Sequence, residues 1–144
     1  MLVHQILNSK GNTSVFTVTP ATLVSEAVQL LAEKRIGGVV VSSDGVAAEG
    51  ILSERDIVRS LALRGPVCLT ETVGDMMTRN PSCCARGDSA DSVLARMTDG
   101  RFRHMPVTEA GALVGIVTIG DVVKARMDEL AMEKTALEGM IMGH

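Results

Sequence analysis

One stretch of this chain occurs twice. Gly50-Ile-Leu-Ser-Glu-Arg-Asp-Ile-Val-Arg59 and Gly115-Ile-Val-Thr-Ile-Gly-Asp-Val-Val-Lys124 share, position by position, a glycine, two aliphatics, a hydroxyl, two variable residues, an aspartate, two aliphatics and a base. These copies lie 65 residues apart. Upstream, Thr22-Leu-Val-Ser-Glu-Ala-Val-Gln-Leu-Leu-Ala aligns with Ser89-Ala-Asp-Ser-Val-Leu-Ala-Arg-Met-Thr at an offset of 67, as does Arg35-Ile-Gly-Gly-Val-Val with Phe102-Arg-His-Met-Pro-Val. The two-residue difference is expected in the turn sequences Ser42-Ser-Asp-Gly45 and Glu109-Ala-Gly111. A chain of this kind folds from one unit used twice.

Each copy reads as βαββα. A short extended piece (15–19; 82–85) precedes a helix that Thr22 or Ser89 can cap. In the first copy Leu23, Ala27, Leu30 and Leu31 are spaced for one helical face. A strand, a Gly-containing turn, a second strand and a second helix follow, with Gly65-Pro66 stopping the helix of the first copy. Residues 72–78 correspond loosely to residues 2–7. The expected division is 1–66 for the first repeat, 67–78 for a linker and the start of the second, 79–125 for the second repeat, and 126–144 for a C-terminal helix and tail. One unit alone would leave an apolar face in water. Two units packed through their sheets close it and leave clefts at their junction, where small-molecule sites form. The expected class is α/β of the α+β type, with pseudo-twofold symmetry.

Composition narrows the function. The 144 residues are 46% hydrophobic, 22% charged and 1% aromatic, so the core is aliphatic and a bound base would not be stacked on rings. A net charge of −3 argues against a nucleic-acid binder. Cys68, Cys83 and Cys84 form no disulfide framework and no zinc ligand set, and read as thiols in a reducing compartment. No apolar run suits a membrane span or signal peptide, so the expected location is the cytoplasm. His4, His104 and His144 have no nucleophile and acid arranged around them, and the chain carries neither a Walker A sequence nor a Gly-x-Gly-x-x-Gly. The expectation is a protein that is not an enzyme.

The motif Gly-aliphatic-aliphatic-[Ser/Thr]-x-x-Asp, at Ser53/Asp56 and Thr118/Asp121, admits two readings. In one it is a capping box at a helix start. In the other the helix N-terminus and hydroxyl meet a phosphate or ribose, while the carboxylate accepts hydrogen bonds from a sugar diol. Arg55, Arg101, Arg103 and His104 supply positive charge for a phosphate, or are a solvated loop. Both readings stay open at this point.

Thr17-Val-Thr-Pro20, Arg35-Ile-Gly-Gly38, Gly50-Ile-Leu-Ser-Glu-Arg-Asp56, Arg101-Phe-Arg-His-Met-Pro-Val107 and Gly115-Ile-Val-Thr-Ile-Gly-Asp121 together resemble the CBS domain, and the chain resembles a stand-alone tandem pair (a Bateman module). The resemblance implies binding of adenosine compounds: AMP first, then ADP, ATP, NAD(H) or S-adenosylmethionine. It implies that Asp56 and Asp121 hold ribose and that Ser53 and Thr118 assist. Thr17 to Thr19 and Cys83, Cys84 and Ala85 would contact the base, largely through backbone. Ile36, Gly37 and Gly38, and His104, Met105 and Pro106, would line the pockets. Gly120 stands where the first copy has Arg55, and Arg103-His104 where it has Ile36-Gly37, so the two pockets should differ in charge.

From Asp121 the helical pattern continues to about Gly139. Val123, Met127, Leu130, Lys134, Leu137 and Ile141 form a heptad-like seam, either packed on its own domain or paired across a homodimer. The expected role is an energy or redox sensor acting on an unidentified protein target. A ligand-free structural adaptor and a weak nucleotide hydrolase are the alternatives.

Overall fold

The computed structural model describes residues 1–11 and 15–142, so His144 lies outside the described residues. A first helix, α1 (Val3–Ser9), precedes the first unit: β1 (Thr17–Val18), α2 (Val24–Lys34), β2 (Gly38–Val41), β3 (Gly50–Ser53) and α3 (Glu54–Arg64). A 3-10 turn (Gly65–Thr70), α4 (Val73–Met76) and β4 (Thr78–Arg79) connect to the second unit. There a single parallel bridge from Cys84 to Val107 stands in for the first strand. It is followed by α5 (Ala90–Gly100), β5 (His104–Glu109), β6 (Ala112–Thr118) and α6 (Ile119–Ile141). The first sheet runs β1-β2-β3-β4, with β1 parallel to β2 and the other pairs antiparallel. The second is the antiparallel pair β5-β6.

The two helices that open the units form for the same reason. Val24, Ala27 and Leu31 in α2, and Ala90, Val93 and Met97 in α5, are buried at spacings of three and four. The buried face of α2 keeps the expected Ala27 and Leu31 and adds Val24, whereas Leu23 is 39% exposed and Leu30 is only half-buried. Leu23 sits at the cap position, bridged to Thr72, and makes no side-chain cap. The Thr22 hydroxyl instead accepts the Thr19 N–H at 3.2 Å. Ser89 caps α5 as expected, accepting the Ser92 N–H at 3.1 Å.

The internal register also differs from the sequence alignment. Both helices end on an arginine in the left-handed conformation, Arg35 (φ 54°) and Arg101 (φ 56°). The Glu54 N–H donates to Gly37 O, and the Ile119 N–H donates to Arg103 O, both at 2.9 Å. The structural offset is therefore 66 through the first strand, first helix and second strand, and 65 after the hairpin. Gly37 and Gly38 correspond to Arg103 and His104, not to His104 and Met105. One residue, not two, separates the hairpins. A left-handed helix end is ordinarily marked by Gly or Asn, and neither marks these. The tight turn of the second hairpin uses Ala110 and Gly111, both at positive φ.

The cores are exchanged at their edges. Val3, Ile6 and Leu7 of α1 are buried with Val93, Met97, Met105, Val107, Val117 and Val122 of the second unit. Val73 of α4 is buried with Val24, Leu31, Val39, Val41 and Leu52 of the first. Matching bonds hold both connections: Val3 N–H to Asp88 O at 2.9 Å, and Val73 N–H to Thr22 O at 2.7 Å. Each fully buried side chain of this size contributes roughly 1.5–3 kcal/mol relative to exposure. Chain order thus places α1 ahead of the first repeat, whereas its apolar residues complete the second.

Along β2 all four residues are buried, although strand residues alternate between faces. Val39 and Val41 face the first core, and Val40 and Ile51 occupy the other face yet are also buried. Their counterparts Pro106 and Ile116 take the same place in the second unit. Sheets covered on both faces read as continuous apolar runs, and here each unit covers the other.

Candidate functional site

Where β3 ends and α3 begins, the two units border an open cleft of about 360 Å³. That volume is within the ordinary range for small-ligand pockets. Its walls are Ile51, Ser53, Arg55, Asp56 and Arg59 from the first unit, the segment Thr78, Asn80, Pro81 and Ser82, and the turn Gly100 to His104 from the second.

Ser53 and Asp56 form the capping box. The Ser53 N–H and hydroxyl donate to Asp56 Oδ2 at 2.9 and 3.0 Å, and the Ser53 oxygen accepts the Asp56 N–H at 3.3 Å. This does not use up the carboxylate: among the described residues its second oxygen, Oδ1, has the Arg59 guanidinium at 4.0 Å and no hydrogen bond. One oxygen secures the helix start, and Asp56 is part of the cleft wall. The structural and ligand-facing readings of the motif are therefore compatible at Asp56.

The second motif is the same box in a different setting. Asp121 Oδ2 accepts the Thr118 N–H at 2.9 Å, and Thr118 Oγ1 accepts the Asp121 N–H at 3.1 Å. Lys10, at the end of α1, places its ammonium 2.9 Å from the same Oδ2 and donates to Ile116 O at 3.0 Å. The carboxylate of the second copy is neutralised from within the chain.

His104 sits between these helix starts. Burial pushes its imidazole below the ordinary value of 6.5; Glu54 opposes this, Arg103 reinforces it, and Asp121 and Asp56 oppose it. The ring lies against Gly37 and Gly38. Burial also raises the Cys83 thiol, and it pushes Cys84 up to about 11, with Asp88 adding to the effect. Neither cysteine is an activated nucleophile.

Of the residues expected at the sites, the Asp56 cleft brings together Ser53, Arg55, Asp56, Arg103 and His104. Thr118, Gly120 and Asp121 stand together at the start of α6. Cys84 and Met105 turn their side chains into the second core, at 3% and 0% exposure, and Pro106 is buried on β5. The Cys84 N–H and carbonyl are also engaged, with Pro106 O and the Thr108 N–H. Cys83 lies beside this strand position, its carbonyl accepting from Arg96 at 2.6 Å. Thr17 belongs to β1, Thr19 to the turn after it, and Ile36 packs on the first core. Gly37 and Gly38 meet His104 without lining the cleft around Asp56.

Arg59, Phe102 and residues 78–82 escaped the sequence reading. Arg59 was legible, one turn beyond Asp56. The 78–82 segment was not, because it reaches the cleft only through the pairing of β4 with β3, Thr78 opposite Ile51. Among the described residues, no three His, Cys, Asp or Glu side chains converge as a metal site, and no helix is long and apolar enough to cross a membrane.

Comparison with known proteins agrees with this architecture. The family model described as "CBS domain" matches twice, at residues 8–63 and 73–128. The mitochondrial CBS domain-containing protein CBSX3 of Arabidopsis thaliana is 32% identical over 148 residues, covering 98% of this chain and 72% of the relative. Other curated plant relatives are matched over only 22–23% of their own length. A crystal structure of a CBS-domain containing protein from Agrobacterium tumefaciens superposes with a TM-score of 0.83 at 42% identity, covering 88% of this chain and 99% of that one. CBSX2, solved in complex with AMP, superposes with a TM-score of 0.71 at 30% identity, covering 88% and 96% of the two chains. With two matched units in order, a shared fold and relatives of this identity, the chain belongs to the CBS domain family as a tandem pair.

Proposed function

We propose that the chain is a non-catalytic regulatory module that binds an adenine nucleotide in the cleft beside Asp56. The observation that carries this reading is Asp56 in the wall of a cleft of about 360 Å³ bordered by both units, with one carboxylate oxygen engaged by the helix cap and the other without a hydrogen bond among the described residues. A carboxylate so placed accepts hydrogen bonds from the vicinal hydroxyls of a ribose, each charge-assisted bond contributing roughly 1.5–3 kcal/mol. The AMP complex of CBSX2, a similar chain, supports the same ligand class. AMP, ADP, ATP and NAD(H) all present the adenosine end that this arrangement would hold. Because the walls come from two units, a bound nucleotide would favour one relative placement of the units, and a partner protein would read that placement.

The module is read as a homodimer in the cytoplasm. Beyond its first turns α6 is largely unburied: Met127, Leu130, Leu137 and Ile141 are 65%, 52%, 58% and 84% exposed. Such a row of exposed apolar residues at heptad-like spacing suits a second copy of the same helix. Three free thiols suit a reducing compartment.

Native mass spectrometry of the freshly purified chain, followed by thermal-shift titration with AMP, ATP and NAD(H), tests the central reading. A nucleotide that co-purifies, or one that raises the melting temperature with concentration, supports it. A melting temperature indifferent to all three leaves the ligand-free adaptor in its place.

A further inference from the structure

The Asp56 cleft gathers positive charge in a chain that is net negative. Four of the ten arginines line it: Arg55 and Arg59 on α3, and Arg101 and Arg103 on the turn into β5. Of the six other arginines, four meet carboxylates, and Arg79 donates instead to Gly74 O. Arg64 pairs with Glu71, Arg86 with Glu109, Arg96 with Asp88, and Arg126 with Asp91 and Glu129. On the cleft wall the sole carboxylate is Asp56, and Arg59 approaches it no closer than 4.0 Å. Among the described residues, Arg55, Arg101 and Arg103 form no ion pair. Guanidinium is the side chain best matched to phosphate oxygens, and a concave wall of one sign concentrates counter-charge.

The arrangement has a direction. Asp56 repels phosphate, so a sugar beside it sends its phosphate chain away from the carboxylate. Arg59 stays beside the carboxylate, while Arg55 from the first unit and Arg101 and Arg103 from the second belong to the rest of the wall. All four residues are exposed, so the path leads outward and a longer chain is not sterically stopped. A single phosphate engages fewer of these groups than a chain of phosphates does, and a cationic sulfonium group engages none.

Resting on the nucleotide reading above, we propose that the Asp56 cleft selects adenine nucleotides by phosphate number, taking the triphosphate over the diphosphate and the diphosphate over the monophosphate. The arginines of the two units act together as a polyphosphate clamp, and S-adenosylmethionine is disfavoured.

Calorimetric titration of the full chain with ATP, ADP, AMP and adenosine, in magnesium-free buffer at two salt concentrations, tests the order. The expected gain is roughly threefold to tenfold in affinity for each added phosphate, with ATP losing more affinity than AMP as salt rises. The double variant Arg55→Gln/Arg103→Gln, which leaves Arg59 and Arg101 in place, should lower the ratio of ATP to AMP affinity severalfold. Both residues are exposed, and a melting curve matching the parent checks that the variant folds. AMP binding as tightly as ATP, or a ratio that survives the double substitution, overturns the clamp and leaves the nucleotide reading standing. Failure of all four compounds to bind overturns both.

Discussion

The imidazole of His104 lies on Gly38, its own counterpart in the other unit: a Cβ built on Gly38 would come within 2.9 Å of ring atoms Cδ2 and Cγ. Residues related by the pseudo-twofold meet each other near its axis. Two bulky side chains cannot share that space, so one copy supplies a ring and the other supplies none. The asymmetry in sequence between Gly37-Gly38 and Arg103-His104 is what lets the symmetric packing close.

Gly38→Ala should therefore destabilise the fold by about 1–3 kcal/mol, the usual cost of overpacking a well-filled contact. His104→Ala in the same chain should recover most of that loss. Urea unfolding of the two single variants and the double variant measures the coupling directly. Independent, additive effects would mean that the ring and the glycine do not share a contact.

Acid should weaken the fold through the same ring. Burial keeps the folded His104 below its ordinary value of 6.5, while Glu54, Asp121 and Asp56 oppose the shift and Arg103 adds to it. Below that pH the unfolded chain takes up a proton that the folded chain resists. Stability from this source is complete above the unfolded value, declines as pH falls beneath it, and levels once the folded ring is charged as well. Urea midpoints at about pH 7.5 and about pH 5.5 check this. The difference between them should shrink in His104→Gln; an unchanged difference would place the acid sensitivity elsewhere.

Ser53 serves the helix and, by the proposed function, the nucleotide. Ser53→Ala should lower stability by roughly 1 kcal/mol through loss of the cap and weaken ligand binding as well. Thermal unfolding with and without ligand separates the two contributions. A stability loss accompanied by undiminished affinity would assign the hydroxyl to the cap alone.

Lys10 makes the two carboxylate sites unequal. Its ion pair with Asp121 is partly exposed, so Lys10→Ala should cost no more than about 1 kcal/mol. With Asp121 held in this way, the parent chain should bind one nucleotide per chain, at Asp56. Removing the ammonium should permit a second, weaker binding event. Calorimetric stoichiometry reads this, and two equal sites in the parent chain would count against it.

The C-terminal helix gives a test of assembly. Leu130→Glu/Leu137→Glu places charge on the exposed row of α6, where Leu130 and Leu137 are 52% and 58% exposed. Sedimentation velocity should show the parent as a dimer and the variant as a monomer with an unchanged melting profile at low concentration. A monomeric parent would remove the homodimer from the proposed function.

The repeat, the βαββα order, the Ser89 cap, the stop at Gly65 and the two Ser/Thr-x-x-Asp helix starts were all legible in the residues. The repeat shows on direct comparison of the two copies; the other features depend on neighbours within a few positions, where spacing, capping chemistry and turn residues act directly. Other features needed the third dimension. The offset of 66 rests on left-handed ends at Arg35 and Arg101, where no glycine marks the turn. The exchange of α1 and α4 between cores depends on strand-edge bonds from Val3 to Asp88 and from Val73 to Thr22. Lys10 reaches Asp121, and residues 78–82 reach Asp56, across chain separations that no local pattern encodes. Short-range preference decides what each segment becomes. Which segments share a wall is decided only when burial of two apolar sheet faces brings them together.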